Sequence, residues 1–268
     1  MPNRKHIWRW ELGQPSASND IDELADEEPL EIRIGDRAIS VTMRTPGHDA
    51  ELAAGFLLTE GLVRSRADIL EIQPCVRARD GNVITVHLSP ETRVDLAKLT
   101  RHVFMSSSCG VCGKASIDAV RQQFSPVEKT ASIVEAATIL KLPDKLRESQ
   151  ATFSRTGGLH AAGIFDPAGN LVVLREDVGR HNAVDKVIGY GLLNGLLPFD
   201  RHILMVSGRA SFEIMQKSLA ARIPIVAAVS APSSLAMDFA SESNQTLIGF
   251  LRGTRMNVYT RPERVRFA

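Results

Sequence analysis

Apolar and polar residues alternate with two different rhythms along this chain of 268 residues. In the first half, EIRIGDRAISVTM and LEIQPCVRARDGNVITVHL alternate about Gly-Asp and Asp-Gly-Asn turns, which is typical of β-hairpins. Between them, GHDAELAAGFLLTEG has helical spacing, with Asp49 placed as N-cap and Gly61 as a stop. The polar stretch before residue 29 is broken by Gly13 and Pro15, so we expect a mostly irregular arm in which IWRWEL adds at most an edge strand.

The second half predicts a layered sheet. HAAGIFDPAGNLVVLRED indicates two strands about a turn, and the short apolar strands ILMV, IPIVAAVS, TLIGFL and MNVYT follow. They are interleaved with the helical patterns HNAVDKVIGYGLL, ASFEIMQKSLAA and SSLAMDFASE, which implies a parallel-type sheet covered by helices on both faces. The sequence therefore predicts an α/β fold in three parts: an irregular arm over 1–28, an α+β part over 29–128 and an α/β domain over 129–268.

Composition narrows the class of function. The net charge is +1, from 32 basic and 31 acidic residues, so there is no reason to expect a nucleic-acid or membrane partner. The N-terminus lacks the apolar core of a signal peptide and no apolar run approaches the roughly 20 residues of a membrane helix, so we expect a cytoplasmic protein. Three cysteines are too few for a disulfide framework in a chain this long, which favours functional thiols in a reducing compartment. Cys75 stands apart, and we expect it to be a buried strand residue.

Four predicted turns at strand ends are rich in polar residues. In a sheet of this kind, ligands bind where strands end and helices begin, because free N–H groups and helix dipoles point there. The turns are EDVGRHN, SGRAS, SAPSS and LRGTR, and their polar residues are Glu176, Asp177, Arg180, His181, Ser207, Arg209, Ser230, Ser233, Arg252 and Arg255. Each alone is typical of a helix cap or a solvated side chain, but together they predict a site for an anionic, phosphate-bearing ligand. Neither a Walker A motif nor G-x-G-x-x-G is present, and TGGLH, which ends at His160, by itself indicates only a tight turn.

The stretch SSSCGVCGK places Cys109 and Cys112 three residues apart. Structural zinc needs four ligands and only one Cys-x-x-Cys is present, while a base deaminase requires P-C-x-x-C and H-x-E, but Ser108 precedes the pair. The order of elements expected around a thioredoxin-like dithiol is missing as well. The following pattern KASIDAVRQQF predicts a helix whose N-terminus, with Lys114, favours thiolate. Such a thiolate could hold a persulfide and release it to an acceptor.

Several blocks in this order resemble one family. SCGVCGK, TGGLHAAGIF, EDVGRHNAVDKVIG, SGRASFEIMQK, SAPSSLA and FLRGTRMNVYT, together with GHDAELAAGFLLTEG, closely resemble the FdhD family, the sulfurtransferases required for formate dehydrogenase activity. The resemblance spans about residues 30 to 262, and the N-terminal arm is the part without a match.

The resemblance implies a specific function. A cysteine desulfurase donates sulfur as a persulfide, which is passed to the molybdenum cofactor, a bis-molybdopterin guanine dinucleotide, and the sulfurated cofactor is delivered to formate dehydrogenase. Cys109 is the implied persulfide carrier and Cys112 assists it. The implied cofactor-binding stretch is Phe250, Leu251, Arg252, Gly253, Thr254 and Arg255. The family also implies a cytidine-deaminase-like layered sheet without the deaminase zinc site, no structural metal, and a homodimer.

The residue pattern and the resemblance agree on the crevice. A guanine dinucleotide carries several phosphates, for which Arg252 and Arg255 would supply bidentate contacts. Further candidates for contacts to the cofactor are Ser207, Arg209, Glu176, Asp177 and His181. Two alternatives stay open: a non-catalytic chaperone that binds and shields the cofactor while its cysteines dock a partner, and a dithiol oxidoreductase that has no need of the crevice.

Overall fold

The structure, a computed structural model, describes residues 3–75, 81–94, 124–128 and 132–267. It is a mixed α/β fold. Its strands are β1 (Asn3–Arg9), β2 (Ser18–Leu24), β3 (Glu28–Ile34), β4 (Arg37–Arg44), β5 (Ile69–Pro74), β6 (Val83–Leu88), β7 (Val134–Glu135), β8 (His160–Phe165), β9 (Leu171–Asp177), β10 (Ile203–Val206), β11 (Ile225–Ala228), β12 (Thr246–Arg252), β13 (Arg255–Val258) and β14 (Val265–Arg266). Its α-helices are α1 (Asp49–Thr59), α2 (Ala136–Ile139), α3 (Leu142–Glu148), α4 (Ala151–Thr156), α5 (Arg180–Leu193), α6 (Phe212–Ala220) and α7 (Ser234–Glu242). Short 3-10 helices occur at Arg66–Asp68 and Pro262–Arg264.

A four-stranded sheet of order β4-β3-β6-β5 contains both hairpins predicted in the first half. β3 pairs antiparallel with β4 and β5 with β6, which confirms the two alternating patterns. Helix α1 also forms, but the prediction of Asp49 as its cap is wrong. His48 occupies the cap position with φ 59° and no side-chain cap bond. The Asp49 carboxylate instead accepts two hydrogen bonds of 3.0 Å from the buried guanidinium of Arg44.

The N-terminal arm is a β-hairpin, so the expectation of an irregular arm over 1–28 is wrong for its described residues. β1 and β2 pair antiparallel over seven residues each. Opposite charges face each other across this hairpin, because β1 is basic and β2 acidic, and Arg9 forms an ion pair with Asp20 across the strands. This kind of pairing leaves no apolar alternation, and SNDIDEL therefore gave little strand signal.

The second half forms a six-stranded sheet of order β13-β12-β11-β10-β8-β9. The three central strands β10, β11 and β12 are parallel, as their apolar runs predicted. The sheet as a whole is mixed, which corrects the expectation of a parallel-type sheet. β8 and β9 form a hairpin that pairs antiparallel with β10, and β13 returns antiparallel to β12 through a two-residue turn too short for a crossover.

Helices cover both faces of this sheet. Along β10, Leu204 and Val206 pack in a core with residues of α1, α5, α6 and α7. The alternate residues Ile203 and Met205 pack in a second core with residues of α2 and α3 and with β7 and β14. The side-chain period of two therefore sends neighbouring residues of each central strand into different cores. Helices α2, α3 and α4 were not predicted from the sequence.

Helices α1 and α5 cross at two glycines. A β-carbon on Gly55 would lie 1.9 Å from the carbonyl oxygen of Asp185, and one on Gly189 would lie 1.8 Å from that of Glu51. The first core continues from this crossing into β3 and β6, where Leu30 and residues of both strands are buried. The predicted N-terminal α+β part and the C-terminal domain thus share one core. Within the described ranges, no helix is both long and apolar enough to cross a membrane.

Candidate functional site

The polar turns meet at one edge of the six-stranded sheet. Because β10, β11 and β12 are parallel, the loops that follow them leave from the same edge. The backbone N–H of Ser233 donates to Ala210 O at 3.1 Å, and that of Phe250 donates to Ser230 O at 3.1 Å. The antiparallel neighbours bring the start of β8, the end of β9 and the start of β13 to the same edge. The predicted gathering of the turns is confirmed, while ligand binding there stays a prediction.

Asp177, at the end of β9, belongs to the framework of this edge. Its side chain has no exposed surface, and its carboxylate forms an ion pair of 2.7 Å with the buried ammonium of Lys186. The same carboxylate accepts hydrogen bonds from the backbone of Thr45 and Gly179 and from the Asn182 amide. These contacts fix the loop after β4 against the start of α5, and together they engage both oxygens of the carboxylate. The structure thus gives Asp177 a structural task, and its place as a cofactor contact stays a prediction.

Glu176 points to the opposite side of β9 and caps a short helix. Its two carboxylate oxygens accept hydrogen bonds from the backbone N–H groups of Thr152 and Phe153, at 2.9 Å and 2.7 Å. These are the free amides at the start of α4, which a carboxylate stabilises. The structure thus gives Glu176 a structural task, and its place as a cofactor contact remains only a prediction.

His181, in the first turn of α5, pairs with Glu213 in the first turn of α6. The distance from His181 Nε2 to Glu213 Oε2 is 2.7 Å, and Ser211 Oγ lies 3.3 Å from the same nitrogen. Burial alone would raise the pKa of Glu213, but the hydrogen bond and charge of His181 and the charges of Lys217 and Arg180 bring it below its ordinary value. The pair therefore carries an ionised carboxylate that orients the imidazole.

The loop after β10 joins this pair to the start of β8. Ser207 Oγ accepts a hydrogen bond of 2.9 Å from the backbone N–H of Ala161, which extends the sheet by one bond. A β-carbon on Gly208 would lie 3.3 Å from Nδ1 of His160, so the glycine lets the loop and the imidazole approach closely. Arg209 is exposed. Burial lowers the pKa of His160, and the charge of Arg209 adds a smaller effect in the same direction. Ser207 is thus partly structural, whereas Arg209 is available at the surface.

The stretch Phe250–Arg255 forms a tight hairpin at the other end of the edge. Arg252 and Arg255 are directly paired, and the two-residue turn between them begins with Gly253 at φ 57°. Gly253, Thr254 and both arginines are exposed. The Arg252 guanidinium lies 5.7 Å above the ring of Phe250. Two adjacent exposed guanidinium groups are well suited to phosphate.

Leu251 is the exception in that stretch. Its side chain is fully buried in the second core, beneath the hairpin. The buried side chain anchors the hairpin to the sheet, and the place of Leu251 in the cofactor-binding stretch stays a prediction. Phe250 has φ 50°, a left-handed conformation that is unusual for a bulky residue. The register between β12 and β13 shifts between Gly249 and Arg252, at the root of the hairpin.

The predicted catalytic residues Cys109 and Cys112, and the helix predicted after them, lie outside the described residues. Cys75 is half-buried just after β5, so the expectation that it is a buried strand residue is wrong. In the ranges that the structure covers, no three His, Cys, Asp or Glu side chains are grouped as metal ligands. The expectation of no structural metal remains untested, since the Cys-x-x-Cys stretch is not among them.

Glu213 is the residue of this edge that sequence reasoning missed. It comes two residues after the polar turn SGRAS, inside the apolar pattern of α6, and that pattern by itself predicts only a helix residue. An acidic residue in the first turn of a helix that starts at a polar edge is the signal that was present. His160 and Arg180 also belong to this edge; Arg180 was among the polar turn residues that predict an anion site, although neither was among the residues predicted to bind the cofactor.

A sequence model described as the FdhD/NarQ family matches residues 25–266. The chain belongs to this family. It is similar to the sulfur carrier protein FdhD of Streptomyces coelicolor, with 53% identity over 251 residues that cover 91% of this chain and 89% of the relative. It is also similar to the sulfur carrier protein FdhD of Mycolicibacterium paratuberculosis, with 50% identity over 270 residues and 98% of both chains covered.

A solved structure agrees with membership in the FdhD/NarQ family. The crystal structure of a formate dehydrogenase accessory protein from Desulfotalea psychrophila matches with a TM-score of 0.78 and 27% identity. The match covers 99% of each chain, so it includes the N-terminal hairpin, the four-stranded sheet and the six-stranded sheet together. The structural match therefore extends to the whole mixed α/β fold.

Proposed function

We propose that this chain is a sulfurtransferase of formate dehydrogenase maturation, which carries sulfur on Cys109 from a cysteine desulfurase to a bis-molybdopterin guanine dinucleotide of molybdenum. One observation carries the proposal: a relative with 50% identity over 98% of both chains is named a sulfur carrier protein. In the transfer, the Cys109 thiolate attacks the outer sulfur of the donor's persulfide, the S–S bond breaks, and the donor cysteine leaves as a thiolate. Cys112 assists release of the sulfur to the acceptor.

The cofactor is cargo, and the sheet edge supports a place for it. Arg252 and Arg255 present two exposed guanidinium groups on a rigid hairpin whose root, Leu251, is buried. A guanine dinucleotide presents phosphates, which such a pair can bind through bidentate hydrogen bonds. The N-termini of α6 and α7 open onto the same edge and favour a negative charge there. We propose that Ser207, Arg209 and His181, which lie at the same edge, also contact the cofactor.

The length of chain between the two cysteines and Val127 is compatible with a cofactor site at this sheet edge. Residues 124–128 are bound at the amino ends of the central strands: Val127 donates to Ser243 O at 3.0 Å, and Asn244 donates to Val127 O at 2.8 Å. Cys112 lies fifteen residues before Val127, and a chain of that length spans at most about 50 Å. The four residues of β10 rise only about 13 Å. Contour length therefore permits Cys112 and Cys109 to approach either edge of the sheet.

Labelled sulfur tests the transfer step. Cys109→Ala should accept no labelled sulfur from a cysteine desulfurase and should not support formate dehydrogenase activation, whereas Cys75→Ala should do both as the wild type does. If Cys109→Ala still activated the dehydrogenase, the sulfur-transfer proposal would be wrong and the chaperone alternative would gain. Rapid exchange with small disulfides, independent of the crevice, would instead favour a dithiol oxidoreductase.

Nucleotide binding tests the cargo site. We expect Arg252→Ala combined with Arg255→Ala to weaken binding of GDP, measured by calorimetry, by about a hundredfold, since two charge-assisted contacts are lost. Arg37→Ala combined with Arg64→Ala removes two exposed arginines of the N-terminal part and is the matched control. Equal GDP affinity in both double variants would remove the crevice from the proposal.

The finer architecture is also a proposal. We propose that the six-stranded sheet is cytidine-deaminase-like, which is supported by its mixed strand directions and by helices on both faces. The homodimer stays a prediction, and sedimentation of the purified protein measures it directly.

A further inference from the structure

A second group of cationic side chains lies at the far end of the sheet edge from the Arg252–Arg255 hairpin. His160 begins β8, pairs with Asp177 of β9 and lies against Gly208. The charges that act on His160 to lower its pKa, after the effect of burial, are those of Arg180 and His181 on α5 and of Arg209 in the loop after β10. Two arginines and two histidines, which are Arg180, Arg209, His160 and His181, thus come from three elements to one place.

Two carboxylates border this group, since the charge of Asp177 acts on His160 and that of Glu213 interacts with Arg180, but each is also bonded to a partner of its own. The carboxylate of Asp177 is already paired with Lys186 at 2.7 Å. The carboxylate of Glu213 is paired with His181 at 2.7 Å. Arg180 and Arg209 therefore leave the cluster positive.

One donor of this cluster lacks an acceptor. Among the described residues, Nε of Arg180 is buried and has no hydrogen-bond partner. A buried donor without a partner is costly, so an acceptor is expected to reach it. Oε1 of Glu213 is a buried acceptor that likewise has no hydrogen-bond partner among the described residues. An oxyanion supplies acceptors for the arginine, and its protonated form or a bridging water supplies a donor for the carboxylate.

Strand spacing gives the separation of the two cationic ends. From β8 to β12 the sheet order crosses three strand intervals, and from β9 to β13 it crosses five. At about 4.8 Å per interval, these separations are about 14 Å and about 24 Å. A single phosphate or diphosphate is too short to contact both ends, whereas an extended dinucleotide is long enough.

We propose that His160, Arg180 and Arg209 form a second anion subsite, which receives a second phosphate-class group of the same extended ligand whose first phosphates bind at Arg252 and Arg255. The inference rests on the proposed function and adds the orientation of the cargo: it lies along the sheet edge, across the ends of β12, β11, β10 and β8. The imidazole of His181 is held beside the subsite by its pairing with Glu213.

Two guanine probes of different length test this subsite. GDP reaches one end only, while diguanosine tetraphosphate, with a second nucleotide on a longer phosphate chain, spans both. We call diguanosine tetraphosphate the long probe. We expect Arg209→Ala and His160→Gln each to weaken its binding by about tenfold and the binding of GDP by less than twofold, measured by calorimetry on the full chain. Arg209 is exposed, so its substitution leaves the fold intact, and Arg37→Ala is the control for loss of one exposed arginine.

The outcomes separate this inference from the proposed function. If Arg209→Ala and His160→Gln left the long probe unchanged, or weakened GDP as much as the long probe, the second subsite would be overturned while the hairpin site stood. If Arg252→Ala combined with Arg255→Ala left both probes unchanged, the crevice would fall and this inference with it. Arg180→Lys, which keeps the charge but loses the fork of donors, should weaken the long probe less than Arg180→Ala does.

Discussion

Asp177 and Arg252 belong to polar turns of the same sheet edge, yet burial gives them opposite roles. Asp177 has no exposed surface and is bonded to the framework on every side, whereas Arg252 stands exposed on a tight hairpin. A buried charge is tolerated only with a partner and full hydrogen bonding, which is what Lys186 and the surrounding amides provide. At the scale of single residues, burial therefore decides which polar side chains hold the site together and which can meet a ligand.

Asp177→Asn tests the framework role. The substitution leaves the ammonium of Lys186 buried, with the Thr45 carbonyl at 2.8 Å but without a countercharge. We expect the free energy of unfolding, measured by urea denaturation, to fall by about 3–5 kcal/mol. Asp36→Asn, in the exposed turn between β3 and β4, should change it by less than about 0.5 kcal/mol. Similar small effects for the two variants would contradict the assignment.

His202 gives a pH dependence whose sign follows from burial. Burial lowers its pKa below the ordinary value, although the carboxylates of Asp166 and Asp200 act against this. The unfolded chain therefore binds more protons than the folded one between the folded pKa and about 6.5, and stability is lost as the pH falls through this range. His202→Phe, beside the ring of Phe199 at 4.9 Å, should reduce the loss of stability between pH 7 and pH 5. An unchanged slope in thermal unfolding would contradict this.

At the scale of elements, the crossing of α1 and α5 fixes the edge that carries the site. Gly55 and Gly189 bring the two helix backbones into direct contact. Beside this crossing, Lys217 of α6 donates to both carboxylate oxygens of Asp185 on α5, at 2.9 Å and 2.8 Å, and to Thr59 of α1 at 2.9 Å. Burial alone would lower the pKa of Lys217, but the carboxylates of Asp185 and Glu60 raise it above its ordinary value. The three helices are thus connected by one charged contact.

Gly55→Ala and Gly189→Ala test the crossing. The new methyl group would overlap a backbone carbonyl of the facing helix, which cannot yield as a side chain can. We expect each substitution to lower the free energy of unfolding by about 1–3 kcal/mol or more, despite the better helix propensity of alanine. Gly158→Ala is a control, since its nearest neighbour is the Ala25 side chain at 3.3 Å. If all three variants were equally stable, the helices would not be in contact at the glycines.

At the scale of the whole molecule, one core joins the two halves that the sequence suggested. Leu30 and Ile84 of the four-stranded sheet belong to the same buried cluster as Leu204 and Val226 of the six-stranded sheet. Apolar surface is removed from water only when both halves are folded together. The chain therefore has a physical reason to unfold as a unit.

A single unfolding transition is the expected result. Urea denaturation followed by circular dichroism, and hydrogen exchange of the amides in β3 and β6, should report the same midpoint. The N-terminal hairpin is the exception, because a two-stranded sheet with exposed Trp8 and Leu12 is only marginally stable by itself. Two well-separated transitions for the four-stranded and six-stranded sheets would show that they are independent domains.

Local patterns determined much of the fold. The alternation in EIRIGDRAISVTM gave a hairpin, and the apolar runs ILMV and IVAA gave central strands that are buried on both faces. The polar turns were predicted to share an edge because parallel strands end at the same side, and they do. The hairpin β1–β2 was missed, since its strands are mostly exposed and charged and have no alternating apolar face.

The sequence by itself determined the family, the order of most elements and the edge at which the polar turns collect, because these depend on local periodicity and on motif identity. Only the tertiary structure decided the roles within that edge. It buried Asp177 and Leu251, left Arg252 and Arg209 exposed, and paired His181 with Glu213 of another helix. The reason is physical: burial, pairing and the distance between two cationic groups depend on residues far apart in the chain, and no local pattern encodes them.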